Sequence, residues 1–277
     1  MPHFSIVDWD DAYSNGAHIA GGERWPAAWS EPARAFRDRL SGEGRARLDI
    51  SYGPAPRNRF DLFLPAAEAK GLVVFVHGGY WLESDKGTWS HLAAGPLAHG
   101  YAVAMPSYTL CPDIRISGIV REVAAAVEAA AVLVEGPLML TGHSAGGHLA
   151  SRMACAGSPL AGSVRARLRH VLSISGLHDL RPLMRTAMNE RLCIDAAEAM
   201  AESPALLEPA QGTCLTCWAG GAERAEFVRQ NALLANVWTG LGAATAVVVE
   251  PDRHHYDVVD GLADPDHALT RSLIGAA

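Results

Sequence analysis

PLMLTGHSAGGHLA, residues 137–150, is the stretch from which the rest of the chain can be read. The apolar run Leu138–Leu140 leads into Gly142-His143-Ser144-Ala145-Gly146, and the residues that follow suit a helix. G-x-S-x-G between a strand and a helix marks a sharp turn that holds a serine in a strained, exposed position. Small residues two before and two after the serine let the backbone pass closely. Ser144 is therefore a candidate nucleophile. The bland alternative, a glycine-rich turn with an idle serine, does not account for the strand before it and the helix after it.

Outward from this turn, apolar runs alternate with helix-like segments. GLVVFVHGG (71–79), YAVAMPSY (101–108), HVLSISG (170–176), CLTCWAG (214–220) and ATAVVVE (244–250) share the continuous apolar character of a strand buried on both faces. Helices are expected near 85–98, 117–135, 144–156, 224–240 and 265–274. Such repeated strand–helix alternation implies a mostly parallel sheet covered on both sides. RARLDISYG and RFDLFLP, which alternate more, suggest an antiparallel pair at the sheet edge. Residues 1–44, with WPAAW and PARAFRDRL, read as an N-terminal helical segment packed on the domain. The stretch 177–211 lacks strand character and reads as a possible cap insertion of helices.

A second motif lies just after a buried strand. His77-Gly78-Gly79 sits where the loop should supply backbone N–H groups to an oxyanion, and glycine permits the close approach. The expected donors are the amides of Gly79, Tyr80 and Ala145, each worth on the order of 3 kcal/mol to a tetrahedral intermediate. His77 is expected to hold the loop and His148 to be structural. A serine hydroxyl needs a base, and in this chain order the acid comes next and the base last. After the last strand stand His254 and His255. The acid is open among Glu223, directly after the Gly-Gly-Ala turn, Asp179, whose bland reading is a helix cap, and other residues. Glu226 reads as part of the following helix. Together these features predict an α/β-hydrolase fold, with a mostly parallel central sheet, helices on both faces and a small helical cap, as one domain over 1–277.

Bulk properties exclude several other classes. With 23 Lys and Arg against 30 Asp and Glu the formal charge is −7, and no long basic run occurs, so nucleic acid is not an expected partner. The sequence has no uninterrupted apolar stretch of about 18 residues such as a membrane span needs, and the acidic N-terminus (Asp8, Asp10, Asp11) is unlike a signal peptide. Five scattered cysteines argue for reduced thiols and a cytoplasmic location. Cys214 and Cys217 form a CxxC within a strand, where positions three apart face opposite sides, so both are expected to be buried structural thiols and not a redox or zinc pair.

The chain resembles the arylformamidase (kynurenine formamidase) branch of the α/β-hydrolases. The likeness rests on HGGYW (77–81), GHSAGGHLA (142–150), SGLHDLRPL (175–183), GGAERAEFVRQ (220–230) and HHYDVVDGLADP (254–265), in the expected order. The resemblance implies Ser144 as nucleophile, Glu223 as acid and His255, the histidine directly before an aromatic, as base. Two departures are Glu where many members have Asp, and Tyr256 where Phe is common. It further implies hydrolysis of N-formyl-L-kynurenine to formate and L-kynurenine, with no metal and no organic cofactor. For such a small-molecule substrate Gly78, Tyr80, Trp81, Tyr108 and Trp218 are expected to border the pocket, with Arg181 and Arg185 as candidate carboxylate partners. A homodimer is left open. The alternatives are a carboxylesterase using the same triad on small acyl or aryl esters, and a non-catalytic binding protein on the same scaffold.

Overall fold

A computed structural model describes residues 5–275; residues 1–4 of the N-terminal segment and 276–277 lie outside the described part. Eight strands form one sheet: β1 (Ala46–Ser51), β2 (Arg59–Phe63), β3 (Leu72–Val76), β4 (Ala102–Pro106), β5 (Leu138–His143), β6 (Leu168–Ile174), β7 (Cys214–Gly220) and β8 (Ala244–Glu250). Their order is β1-β2-β4-β3-β5-β6-β7-β8. β1 and β2 are antiparallel, β2 is antiparallel to β4, and the remaining pairs are parallel.

The helices are α1 (Trp9–Tyr13), α2 (Trp25–Gly42), α3 (Ala94–Ala98), α4 (Ile116–Leu133), α5 (Ala145–Met153), α6 (Gly162–Arg165), α7 (Asn189–Leu192), α8 (Ala196–Glu202), α9 (Ala225–Gly240) and α10 (Ala268–Ile274). Alternate residues of each strand point to opposite faces, which splits the core in two. Leu72, Val74, Val76, Leu138 and Leu140 pack under α4, α5 and α9, whereas Val73, Phe75 and Met139 pack under α2, α3 and α10. The stretch 177–211 folds as short helical turns, and its Leu177, Leu180, Leu183 and Leu192 join the first of these cores.

Two expectations are corrected. ATAVVVE reads as a doubly buried strand, yet β8 is an edge strand with Val247 46% and Val249 44% exposed. Its apolar run records β-propensity, not burial. Cys214, expected to be buried, is exposed at the first position of β7, while Cys217 is buried; all five cysteines are free. Among the described residues no helix is long and apolar enough to cross a membrane.

Candidate active site

The turn from β5 to α5 puts Ser144 at φ 57° and ψ −119°, a region few side-chain-bearing residues occupy. The two motif glycines explain how it is held. A Cβ on Gly146 would lie 1.9 Å from the Val76 carbonyl oxygen, and one on Gly142 would lie 2.3 Å from that of Gly146. The Ser144 amide donates to the Ile174 carbonyl at 2.8 Å, tying the turn to β6. Ser144 thus stands at the N-terminus of α5, where the helix dipole favours negative charge.

Glu223 and His255 follow β7 and β8. Glu223 Oε2 accepts from His255 Nδ1 at 2.6 Å, and both side chains are buried, 0% and 4% exposed. The other carboxylate oxygen, Oε1, accepts from the Gly220 amide at 2.7 Å and from the Ser175 hydroxyl. The His255 ring packs between Phe227 (4.5 Å between centroids) and His143 (4.6 Å). His143 Nε2 donates to the His255 carbonyl at 2.8 Å. Burial, helped by the nearby His255, pushes the His143 pKa well below the ordinary histidine value, so it stays neutral. No hydrogen bond joins Ser144 Oγ to His255 among the described residues, but both side chains border one cavity. Catalytic hydrogen bonds often close only when substrate is bound.

The competing residues have other partners. Asp179 is gripped by Arg181 through Nε–Oδ1 at 2.9 Å and Nη2–Oδ2 at 2.8 Å. Burial acts to raise its pKa, but the Arg181 hydrogen bonds and charge prevail and lower it. Glu226 accepts from Arg229 and from the Tyr13 hydroxyl. The His254 ring lies against Trp25 at 5.1 Å.

After β3 the chain turns through Gly79, Tyr80 and Trp81, all at positive φ (102°, 50° and 59°). A Cβ on Gly78 would lie 2.8 Å from the His143 carbonyl oxygen and 3.0 Å from Ser144 Cβ, so this glycine lets the loop lie against the serine turn. The Gly79 and Tyr80 amides make no hydrogen bond among the described residues, and Ala145, at the first position of α5, has no intrahelical acceptor. His77 fastens the loop: Nδ1 donates to the Gly78 carbonyl at 2.8 Å, and the ring stacks on Tyr108 at 4.3 Å. Burial pushes the His77 pKa down to about 4. His148 is also buried, with Nε2 donating to the Glu202 carbonyl at 2.6 Å.

The cavity in front of Ser144 measures about 490 Å³. Gly79, Tyr80, Ser144 and His255 line it, but Gly78, Trp81, Tyr108 and Trp218 do not. Trp81 and Tyr108 are 0% exposed core residues, and Trp218 lies within β7 with Nε1 donating to Glu250 at 2.8 Å. The arginines are also elsewhere: Arg181 holds Asp179, and Arg185 sits over the Trp9 ring at 5.1 Å. The aromatic wall comes instead from Trp29, Trp89, Tyr13 and Tyr256. Trp29 belongs to α2 and packs against Trp89 at 4.6 Å, with the rings tilted, and edge-on against Tyr256 at 5.1 Å. Sequence reading missed this wall. Its only signal was the aromatic-rich WPAAW, and nothing local says what that segment covers.

Comparison with known proteins places this site in context. The family model BD-FAE matches residues 60–205. A kynurenine formamidase of Danio rerio is 27% identical over 273 residues, covering 90% of this chain and 92% of the relative. One of Drosophila melanogaster is also 27% identical, covering 84% and 78%. A solved structure from Silicibacter sp. tm1040, described as that of a candidate thioesterase, superposes with TM-score 0.92 at 47% identity, covering 97% of this chain and all of that one. Esterase B from Lactobacillus rhamnosis, at TM-score 0.67 and 18% identity over 94% of this chain and 93% of that one, shares the fold. With more than half of its length matched to one model, formamidase relatives along most of the chain and the α/β-hydrolase fold of esterases, this protein is a hydrolase that belongs to the BD-FAE family.

Proposed function

We propose that the protein is a serine hydrolase in which Ser144 is the nucleophile, His255 the base and Glu223 the group that orients the base. The observation that carries this reading is the buried 2.6 Å contact from His255 Nδ1 to Glu223, on a cavity whose wall also bears the strained Ser144. A neutral imidazole that donates through Nδ1 keeps Nε2 free to accept the serine proton. Ser144 Oγ adds to the acyl carbon while its proton passes to His255 Nε2. The amides of Gly79, Tyr80 and Ala145 hold the developing oxyanion. His255 then returns the proton to the leaving group, and water, deprotonated by His255, releases the acid and restores Ser144.

The substrate we favour is an aryl formamide, N-formyl-L-kynurenine, which would yield formate and L-kynurenine. The formamidase relatives and the aromatic wall support it. A second reading, an esterase for small aryl esters, has its own support: no lysine or arginine among the described residues lines the cavity to meet a substrate carboxylate. We read 1–277 as one domain with an N-terminal segment over 1–44, of which residues between Asp10 and Ser30 line the cavity, and with 177–211 as a cap insertion, and the free cysteines favour a reducing, cytoplasmic location.

Hydrolysis of N-formyl-L-kynurenine and of p-nitrophenyl acetate by wild type and Ser144→Ala tests both readings. Formamide turnover lost in the variant supports the first. Ester turnover alone, also lost in the variant, supports the second. Full activity of Ser144→Ala on either substrate would sink the serine mechanism.

A further inference from the structure

The loop between α1 and α2 forms part of the cavity wall, and it carries Asn15. Asn15 is only 5% exposed, and both Nδ2 and Oδ1 are shielded from solvent without a hydrogen-bond partner among the described residues. A buried donor and acceptor left unmade destabilise a fold, so few survive in natural structures. Two of them on one side chain, at the wall of the cavity, call for a partner that the chain itself does not supply.

The loop backbone is pinned, so the carboxamide is presented on a fixed support. The Tyr80 hydroxyl donates to the Tyr13 carbonyl, and the Tyr13 hydroxyl donates to Glu226 at 2.6 Å. The Asn15 carbonyl accepts from the His18 amide at 3.0 Å, and Gly16 packs so closely that a Cβ there would lie 2.7 Å from the Tyr256 hydroxyl. Trp29 Nε1, on the same wall, is a second shielded donor without a partner. The carboxylates on the wall are those of Asp10 and Glu83, and among the described residues no lysine or arginine lines it.

We propose that Asn15 is a specificity-determining residue that reads a net-neutral group on the substrate offering a hydrogen-bond acceptor beside a donor, and that the cavity rejects a lone carboxylate at that place. A carboxamide and a zwitterionic amino-acid head both have this chemistry. The inference deepens the proposed function and rests on that cavity receiving the substrate. Asn15 Nδ2 donates to the acceptor, Asn15 Oδ1 accepts from the donor, and the two carboxylates repel an anion.

Binding to Ser144→Ala protein, followed by the fluorescence of the wall tryptophans, tests this without requiring turnover. The probes are 4-hydroxybenzamide, p-cresol, 4-hydroxybenzoate and L-tyrosine. The amide is expected to bind about tenfold more tightly than p-cresol, because an unmet polar pair is restored, and the benzoate more weakly than p-cresol. L-tyrosine against the amide separates a zwitterionic head from a carboxamide. Adding Asn15→Leu should bring the better of these two down to p-cresol. Asn15→Asp, which keeps the shape, should weaken 4-hydroxybenzamide and tighten 4-hydroxybenzamidine. If neither neutral polar head outbinds p-cresol, or if both Asn15 variants leave the ratios unchanged, the assignment is overturned. Wild-type hydrolysis of 4-carbamoylphenyl acetate, compared with Ser144→Ala, separately reports whether the serine mechanism itself fails.

Discussion

Replacing Glu223 by Gln probes the link between the buried carboxylate and His255, the proposed base, at constant shape. In wild type, Oε1 is committed to two donors, the Gly220 amide and the Ser175 hydroxyl, and Oε2 to His255 Nδ1. A Gln at this position has one oxygen and one NH₂. Turning its NH₂ toward Gly220 would set two donors face to face, so the oxygen stays there and the NH₂ meets His255. Nδ1 must then accept, the proton moves to Nε2, and the ring can no longer take a proton from Ser144. A wrong tautomer of this kind costs roughly 10⁴-fold in kcat in a triad, or about 5 kcal/mol of transition-state stabilisation. Because the Glu223 side chain is 0% exposed, water cannot easily substitute for the lost contact. The assay is kcat on p-nitrophenyl acetate or N-formyl-L-kynurenine, whichever turns over, with thermal unfolding as the check on folding. Asp179→Asn serves as the control and should stay within about threefold, since Asp179 is tied to Arg181. A folded Glu223→Gln protein retaining more than a tenth of wild-type kcat would refute the reasoning. Loss in Asp179→Asn instead would return the acid role to that residue.

Gly146→Ala should abolish folding or cost more than about 3 kcal/mol in urea unfolding, because its Cβ would lie 1.9 Å from the Val76 carbonyl oxygen; wild-type stability would show that the turn can relax. Trp29→Ala removes the ring packed against Trp89 and Tyr256, and should raise KM for aromatic substrates roughly tenfold while changing kcat less. A drop in kcat at constant KM would contradict its place on the wall. Stability should also fall as the medium is acidified from pH 6.5 toward 4. Burial lowers the pKa of His77 and His148 to about 4 and of His178 to about 3, so between those values and the unfolded value the unfolded chain binds more protons. Each such histidine contributes a slope of about 1 kcal/mol per pH unit in that window. Asp260, raised to about 6 by burial and by Asp257, acts in the opposite sense but is one group against several. Denaturant midpoints that do not change between pH 7 and 5 would contradict this.

Sheet, helices and serine turn were legible because each depends on residues close together in the chain. An apolar run of β-branched residues extends, a 3.6-residue period coils, and G-x-S-x-G between them forces the turn. The order of the candidate nucleophile, acid and base follows from the same connectivity. The residue patterns by themselves left His254 and His255, and Glu223 and Asp179, undecided. The resemblance pointed to His255 and Glu223, and the folded geometry brings these two together at 2.6 Å.

Burial and direction were decided only by the tertiary structure. ATAVVVE has the composition of an interior strand, but its position at the end of the sheet order leaves Val247 and Val249 exposed. Tyr80 and Trp81 are adjacent, and both have left-handed backbone, yet the turn sends Tyr80 to the cavity and Trp81 into the core. Tyr108 is likewise turned away, against His77, and Trp218 faces the layer formed by α2 and α10. The walls of the cavity come from segments far apart in sequence, with Asn15 and Trp29 from the N-terminal segment meeting Trp89 and Tyr256. Local sequence patterns encode which residues can extend, coil or turn. Which distant surfaces meet depends on how the helices pack over the finished sheet, and that packing built the cavity in front of Ser144.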